Sequence, residues 1–287
     1  VALRAGFIGL GNIGMPMAKR LVGAGLETSV LDAVPAPVAE LVREGAKSAR
    51  SPRDLAERSD VIGVCVRDDA DVRSVVYGED GLLAGAARGS VIAIHSTILP
   101  STVRELGSAA EERGVGLLDA CVTGGAAIAT AGKLTYIVGG EAAHLERCRP
   151  AFETSAAKIV HTGPLGSGAA TKLCNNLMTY LAWLSAYESF LLARGAGLSQ
   201  EKLEEVTRSN GNMTDPMMAF LALHKMPAET RRSSGVQAML NGFATLAEKD
   251  LAVTLAFARE LGVALPGTAL ASQLMARVYG LEDPVKR

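Results

Sequence analysis

Apolar and polar positions follow two different rhythms along this chain. Through the first half, short apolar runs rich in β-branched residues are bounded by Gly, Asp or Ser. They cover residues 4–8, 27–31, 61–66, 91–94, 115–118 and 134–138. Runs of that length and composition read as buried strands. Between them lie stretches with helical apolar spacing, such as residues 16–25 and 37–44. Strands alternating with helices predict a parallel sheet covered on both faces, a doubly wound α/β arrangement.

Near residue 163 the rhythm changes, and no convincing strand follows. Ser167 is placed to cap a helix that runs to about Arg194, a rod of roughly 40 Å. Leu173, Leu177, Leu181, Leu184 and Leu191 form one apolar stripe; Trp183, Ala186 and Phe190 add a second. A helix apolar on so much of its circumference is buried by other elements. Lys172, Asn175, Asn176 and Glu188 interrupt it, which argues against a membrane span. Residues 199–278 read as four or five further helices.

The first strand runs into Phe7-Ile-Gly9-Leu-Gly11-Asn-Ile-Gly14, a G-x-G-x-x-G pattern between strand and helix. Gly9 permits a tight turn, Gly11 lets a pyrophosphate approach the backbone, and Gly14 lets helix and strand pack closely. The helix N-terminus offers unpaired N–H groups to phosphates. The second strand ends in Asp32, where a carboxylate can bind a ribose 2′-hydroxyl and would repel a 2′-phosphate. The reading is a dinucleotide site lined by Gly9, Gly11, Asn12, Ile13, Gly14 and Asp32, with NAD favoured over NADP. Val66 and Arg67 end the third strand, and Thr97 follows the fourth, so these also border the cofactor. Arg67 reads equally as a solvated loop charge. The fold class is therefore a Rossmann-type doubly wound domain over residues 1–163. An all-α domain over residues 164–287 follows, joined to it by a long interdomain helix.

Composition narrows the partners. The 287 residues carry a net charge of −1, with no long basic run, which argues against nucleic acid and anionic membranes. The 31 glycines suit ligand sites lined by backbone. Cys65, Cys121, Cys148 and Cys174 form no C-x-x-C pair, and no histidine stands at metal-ligand spacing beside them, so no metal is expected. No charged and then apolar leader pattern opens the chain, and the expectation is a reduced, cytoplasmic protein.

The long helix opens Gly166-Ser-Gly168-Ala-Ala-Thr-Lys172-Leu-Cys-Asn175-Asn176. Lys172 and Asn176 are one turn apart on one face, with Gly168 one turn earlier, leaving space for a ligand. Lys and Asn in an apolar helix are costly unless satisfied. Spacing alone leaves a catalytic pair and a polar domain junction equally open.

Four motifs in order carry a resemblance: the glycine loop; Asp119-Ala-Cys-Val-Thr123-Gly124-Gly125; the Lys172 helix start; and Lys249-Asp250-Leu251. The chain resembles the β-hydroxyacid dehydrogenases, the group containing 3-hydroxyisobutyrate dehydrogenase, tartronate semialdehyde reductase and 6-phosphogluconate dehydrogenase. The resemblance implies Lys172 as catalytic acid/base and Asn176, with Asn175 beside it, on the substrate. It implies Thr123, Gly124 and Gly125 around the substrate carboxylate, Lys249 toward the cofactor, and a homodimer or homotetramer. Three positions depart from the family pattern: Thr123 stands for Ser, Arg67 for Pro, and residues 209–214 differ in the stretch expected to wall the pocket.

The expected activity is reversible NAD-dependent oxidation of a small 3-hydroxy acid. Alternatives are a non-catalytic NAD(P)-binding module, which Lys172 disfavours, or reduction of another carbonyl or imine on the same fold.

Overall fold

The structure is a computed structural model that describes residues 3–281. The chain packs into two compact units that divide between Lys172 and Leu173. The first unit begins β1 (Arg4–Ile8), α1 (Gly14–Gly23), β2 (Glu27–Leu31), α2 (Pro35–Arg43), β3 (Lys47–Ser48) and α3 (Pro52–Ala56). It continues with β4 (Val61–Val64), α4 (Asp69–Tyr77), α5 (Leu82–Gly85), β5 (Val91–Ile94) and α6 (Pro100–Glu112). It closes with β6 (Gly116–Thr123), α7 (Gly125–Thr130), β7 (Leu134–Gly139), α8 (Ala142–Phe152) and β8 (Ala156–Gly163). The helix α9 (Ser167–Gly195) starts in this unit and continues into the second. There it is followed by α10 (Gln200–Ser209), α11 (Asp215–His224), α12 (Ala228–Arg232), α13 (Ser234–Glu260), α14 (Pro266–Ser272) and α15 (Met275–Val278).

The strands form one sheet in the order β3-β2-β1-β4-β5-β6-β7-β8. The sheet is mixed, not wholly parallel: β7 runs antiparallel to β6. Only residues 124–133 join them, too short a link for the crossover a parallel neighbour requires. Two strands escape the hydrophobic pattern. The short β3 is exposed at one edge, and β8 is half-exposed at the other, so neither shows an apolar run. The strand β6 reaches Thr123, beyond the apolar run at 115–118, because the buried Asp119 interrupts that run without ending the strand.

Side chains alternate between two cores, as strand geometry demands. Phe7, Val61, Ala93 and Ala120 face one core; Ile8, Ile62, Ile94 and Cys121 face the other. Each fully buried Ile or Leu contributes about 1.5–3 kcal/mol. His95 lies inside the first core, stacked on Phe7 at 5.7 Å, with a ring nitrogen 2.7 Å from the Ala120 carbonyl oxygen. The second unit has its own core around Tyr180, Phe190, Phe220 and Leu251, with Trp183 stacked on Phe220 at 5.0 Å. Among the described residues, no helix is long and apolar enough to cross a membrane.

Candidate active site

The glycine loop follows β1 at the point where the chain order of the sheet reverses, between β1 and β4. Ligands of open α/β sheets sit beyond the strand ends at such a point. Gly9 has φ +92°, and a Cβ there would strike the Cys65 carbonyl that follows β4. A Cβ on Gly14 would collide with the Gly9 carbonyl. Gly11 is different, since a Cβ there would meet open space. Its lack of a side chain relieves no contact within the fold and leaves backbone free for a ligand to approach. No side chain caps the start of α1, and no acidic residue stands in its first turn. Backbone donors and a helix dipole are thus left for an anion. Asp32 ends β2 beside the loop: its carboxylate accepts from the Leu10 N–H at 2.5 Å and the Val34 N–H at 2.7 Å. These residues fit a dinucleotide: exposed backbone at Gly11 and Asn12, open N–H groups, and a carboxylate at the ribose position.

The neighbouring strand ends lie on the same edge. Ser96 joins two of them, with its hydroxyl accepting from the Val66 N–H and donating to the Val66 carbonyl, both at 2.8 Å. Thr97 follows, half-buried. The Arg67 side chain is exposed and forms a two-toothed pair with Asp71 at 2.7 and 3.0 Å, one helical turn away. Of the two readings of Arg67, the geometry favours the solvated one for its side chain.

Thr123 closes β6, and Gly124 and Gly125 follow with φ values of +136° and +78°. Successive backbone positions of this kind expose N–H groups that can grip an anion. Four residues earlier on β6, the buried Asp119 carboxylate accepts from the Gly166 N–H at 3.0 Å and the Ala169 N–H at 2.7 Å. This is the anchor of α9. Ser167, expected to cap the helix, has its hydroxyl 2.8 Å from that of Thr162. Burial pushes the Asp119 carboxyl above its ordinary range, and the backbone donors pull it back. Gly168 lies against the same strand, where a Cβ would stand 2.5 Å from the Asp119 carbonyl oxygen and 2.7 Å from the Gly139 nitrogen. It is a packing glycine and leaves no ligand space, contrary to the reading from spacing. The first turns of α9 are therefore docked on the sheet, and Lys172, half-buried, follows one turn after Gly168.

In the second unit, Asn176 is buried and its Nδ2 donates to Asp250 Oδ2 at 2.7 Å. Tyr180 Oη donates to the same oxygen at 3.1 Å, and Lys249 Nζ lies 2.7 Å from Oδ1. Burial, and then the Asp250 charge, push the Tyr180 phenol up, so it stays a donor. Asn175 Nδ2 donates weakly to Asn176 Oδ1, at 3.4 Å. The structure thus brings Asn176 and Lys249 to one carboxylate, with Asn175 joined to it only through Asn176.

Three residues were not assigned roles from sequence: Ser96, Asp119 and Asp250. The signal for Asp119 was present, since it is a carboxylate set in an apolar run, which is costly unless hydrogen-bonded; Asp250, directly after Glu248 and Lys249, gave no such signal.

Residues 4–163 match the family described as the NAD binding domain of 6-phosphogluconate dehydrogenase. Residues 166–283 match that described as NAD-binding of NADP-dependent 3-hydroxyisobutyrate dehydrogenase. The chain is 37% identical over 271 residues to an NAD-dependent L-serine dehydrogenase of Pseudomonas aeruginosa, covering 93% of this chain and 89% of that one. It is 35% identical over 274 residues to a 3-hydroxyisobutyrate dehydrogenase of the same organism, with the same coverage. A solved structure of Mycobacterium tuberculosis 3-hydroxyisobutyrate dehydrogenase with L-serine is similar at a TM-score of 0.81 and 30% identity, covering 96% of this chain and 94% of that one.

Proposed function

The chain belongs to the 3-hydroxyisobutyrate dehydrogenase-like family of NAD-binding oxidoreductases, and we propose that it interconverts small 3-hydroxy acids and their oxo acids, with Lys172 as the proton-transfer residue. The observation that carries this reading is the shared use of β6. Its Asp119 holds the first turn of the Lys172 helix, and its end, about 13 Å further on, forms the Thr123-Gly124-Gly125 turn. One strand therefore ties the basic group to the anion-gripping turn.

A bound nicotinamide ring would accept or return the hydride. The residues of the chain do the rest. The N–H groups of Gly124 and Gly125 and the Thr123 hydroxyl hold the substrate carboxylate, which points the 3-hydroxyl toward Lys172. As a neutral amine, Lys172 takes the hydroxyl proton during oxidation; as an ammonium it returns it during reduction. Asn176, one turn further along α9, has its Nδ2 fixed on Asp250, and its Oδ1, which accepts only a long bond from Asn175, orients the hydroxyl. Holding the reacting groups in place in this way can supply several kcal/mol of the barrier reduction. The extra methyl of Thr123, where the family has Ser, favours compact acids. NAD is preferred over NADP because a 2′-phosphate beside Asp32 would be repelled.

The second unit exposes Met178 and Leu192 of α9 at 71% and 77%. They are fourteen positions apart, close to four helical turns, and so share a face. Exposed apolar faces mark contact surfaces, which supports a homodimer or homotetramer.

A panel of 3-hydroxyisobutyrate, L-serine, 3-hydroxypropionate and glycerate, run with NAD⁺ and NADP⁺ in parallel, tests the reading. Reduced cofactor is expected with at least one acid, with kcat/KM at least about tenfold higher for NAD⁺, a difference of about 1.4 kcal/mol. Absence of turnover across the panel would overturn the substrate class, and a preference for NADP⁺ the role of Asp32.

A further inference from the structure

The second unit contains a cavity of about 270 Å³ that plays no part in the chemistry above. It lies between the end of α9, α11, α12 and the stretch that follows α15. Six of its lining residues set its character: Arg194, Gln200, His224, Lys225, Arg231 and Arg277. Four of these are cations, brought together from four separate places in the fold. Lys225 is paired with Glu204. Arg194, Arg231 and Arg277 form no ion pair among the described residues. Arg231 Nε and His224 Nε2 are buried with no hydrogen-bond partner. Along α9, Arg194 stands eighteen residues from Asn176, about 27 Å, so the cavity is separate from the Asn176–Asp250 cluster.

Three guanidinium groups around one recess repel one another, and a buried N–H without a partner costs about 1–3 kcal/mol. An anion seated among them relieves both, and guanidinium forks match carboxylate and phosphate oxygens. His224 refines the chemistry. It hydrogen-bonds the Val278 carbonyl, and since Nε2 is without a partner, that bond is made by Nδ1. Burial, together with the charges of Arg231 and Arg194, pushes the imidazolium down, so the ring is neutral and Nε2 is an acceptor. It can accept a hydrogen bond from a P–OH or hydroxyl group on the ligand.

We propose that this cavity is a second ligand site, built for a small dianion of the phosphate or dicarboxylate class. Inorganic phosphate and succinate are the two probes. Each is titrated into the full-length protein saturated with NADH, so that the glycine loop cannot supply the signal, and at constant ionic strength against sodium chloride. Calorimetry is expected to show one site per chain for at least one probe, and the arm that binds more tightly names the class. Arg231→Gln is expected to weaken that binding at least about tenfold. Arg194→Gln and Arg277→Gln, on different helices, repeat the test should the first variant fold poorly. None of the three should alter turnover of the hydroxy acid. The proposal is overturned if neither probe binds above the chloride control, or if the Arg variants bind as the parent does. It is also overturned if binding emerges only in the E282Q/D283N protein. That result would give the cluster to carboxylates of the chain itself, at two positions outside the described residues.

Discussion

Asn176 donates from Nδ2 to Asp250 Oδ2 at 2.7 Å, and both side chains are buried. The contact fixes which way the Asn176 amide is turned, because a carboxylate accepts only from the NH₂ side. The same carboxylate receives Tyr180 and the Lys249 ammonium. Asp250 is therefore the point on which three polar side chains converge in the second unit.

Asp250→Asn keeps the shape of the side chain and removes the charge. Its amide cannot accept from Asn176, Tyr180 and Lys249 together, so at least one buried donor loses its partner. Denaturant unfolding is expected to show a loss of about 1–3 kcal/mol. With Asn176 free to rotate, kcat should fall more than cofactor affinity. Full retention of both stability and kcat would show that the convergence has no role.

Lys172→Ala removes the proposed proton acceptor and leaves the anchor at Asp119 untouched. General acid–base catalysis contributes about 10²–10⁴ in rate, and kcat is expected to fall by that order. Binding of NADH, followed by its fluorescence, should change by less than about threefold, since the glycine loop lies on other elements. Surviving turnover would move proton transfer elsewhere.

Much of this site could be read before folding, because its motifs carry backbone requirements. Gly9 and Gly14 stand where a strand–turn–helix unit needs them, each with a backbone collision awaiting a Cβ, and Asp32 ends the second strand against the loop, bonded to the Leu10 N–H. The span of α9 was legible from two apolar stripes and the absence of breakers. What escaped was whatever depends on a distant partner. Asp119 anchors a helix about fifty residues away, Gly168 serves packing against β6, and β8 pairs through its backbone with few buried side chains. Local pattern holds no trace of such partners.

Gly11 and Gly14 predict opposite failures. At Gly11 a methyl group meets nothing within the fold, so Gly11→Ala is expected to leave unfolding unchanged to within about 0.5 kcal/mol. It should raise the dissociation constant for NAD by about tenfold or more, because the methyl fills the space a pyrophosphate approaches. At Gly14 the methyl collides with the Gly9 carbonyl, and overpacking of this kind costs about 1–3 kcal/mol. Equal stability losses in the two variants would contradict the division of labour between them.

His95 makes the first unit sensitive to acid. Complete burial pushes its imidazolium down to about 4, against a gain from the Ala120 carbonyl. Between pH 6.5 and about 4, the unfolded chain takes up a proton that the folded chain refuses. Stability must then fall as pH falls through that window, by about 3 kcal/mol in total. Asp54, Asp60 and Asp71 are held below the ordinary carboxylate range by hydrogen bonds, so their contributions are lost only at lower pH. Asp119, pushed up by burial, has the opposite sign and offsets part of the fall. His95→Gln removes the imidazole and keeps a donor for the Ala120 carbonyl. Urea unfolding of both proteins from pH 7 to 4.5 separates the terms, because the carboxylates are common to both. The parent is expected to lose stability more steeply below pH 6.5, and parallel profiles would mean that the ring gains its proton without unfolding.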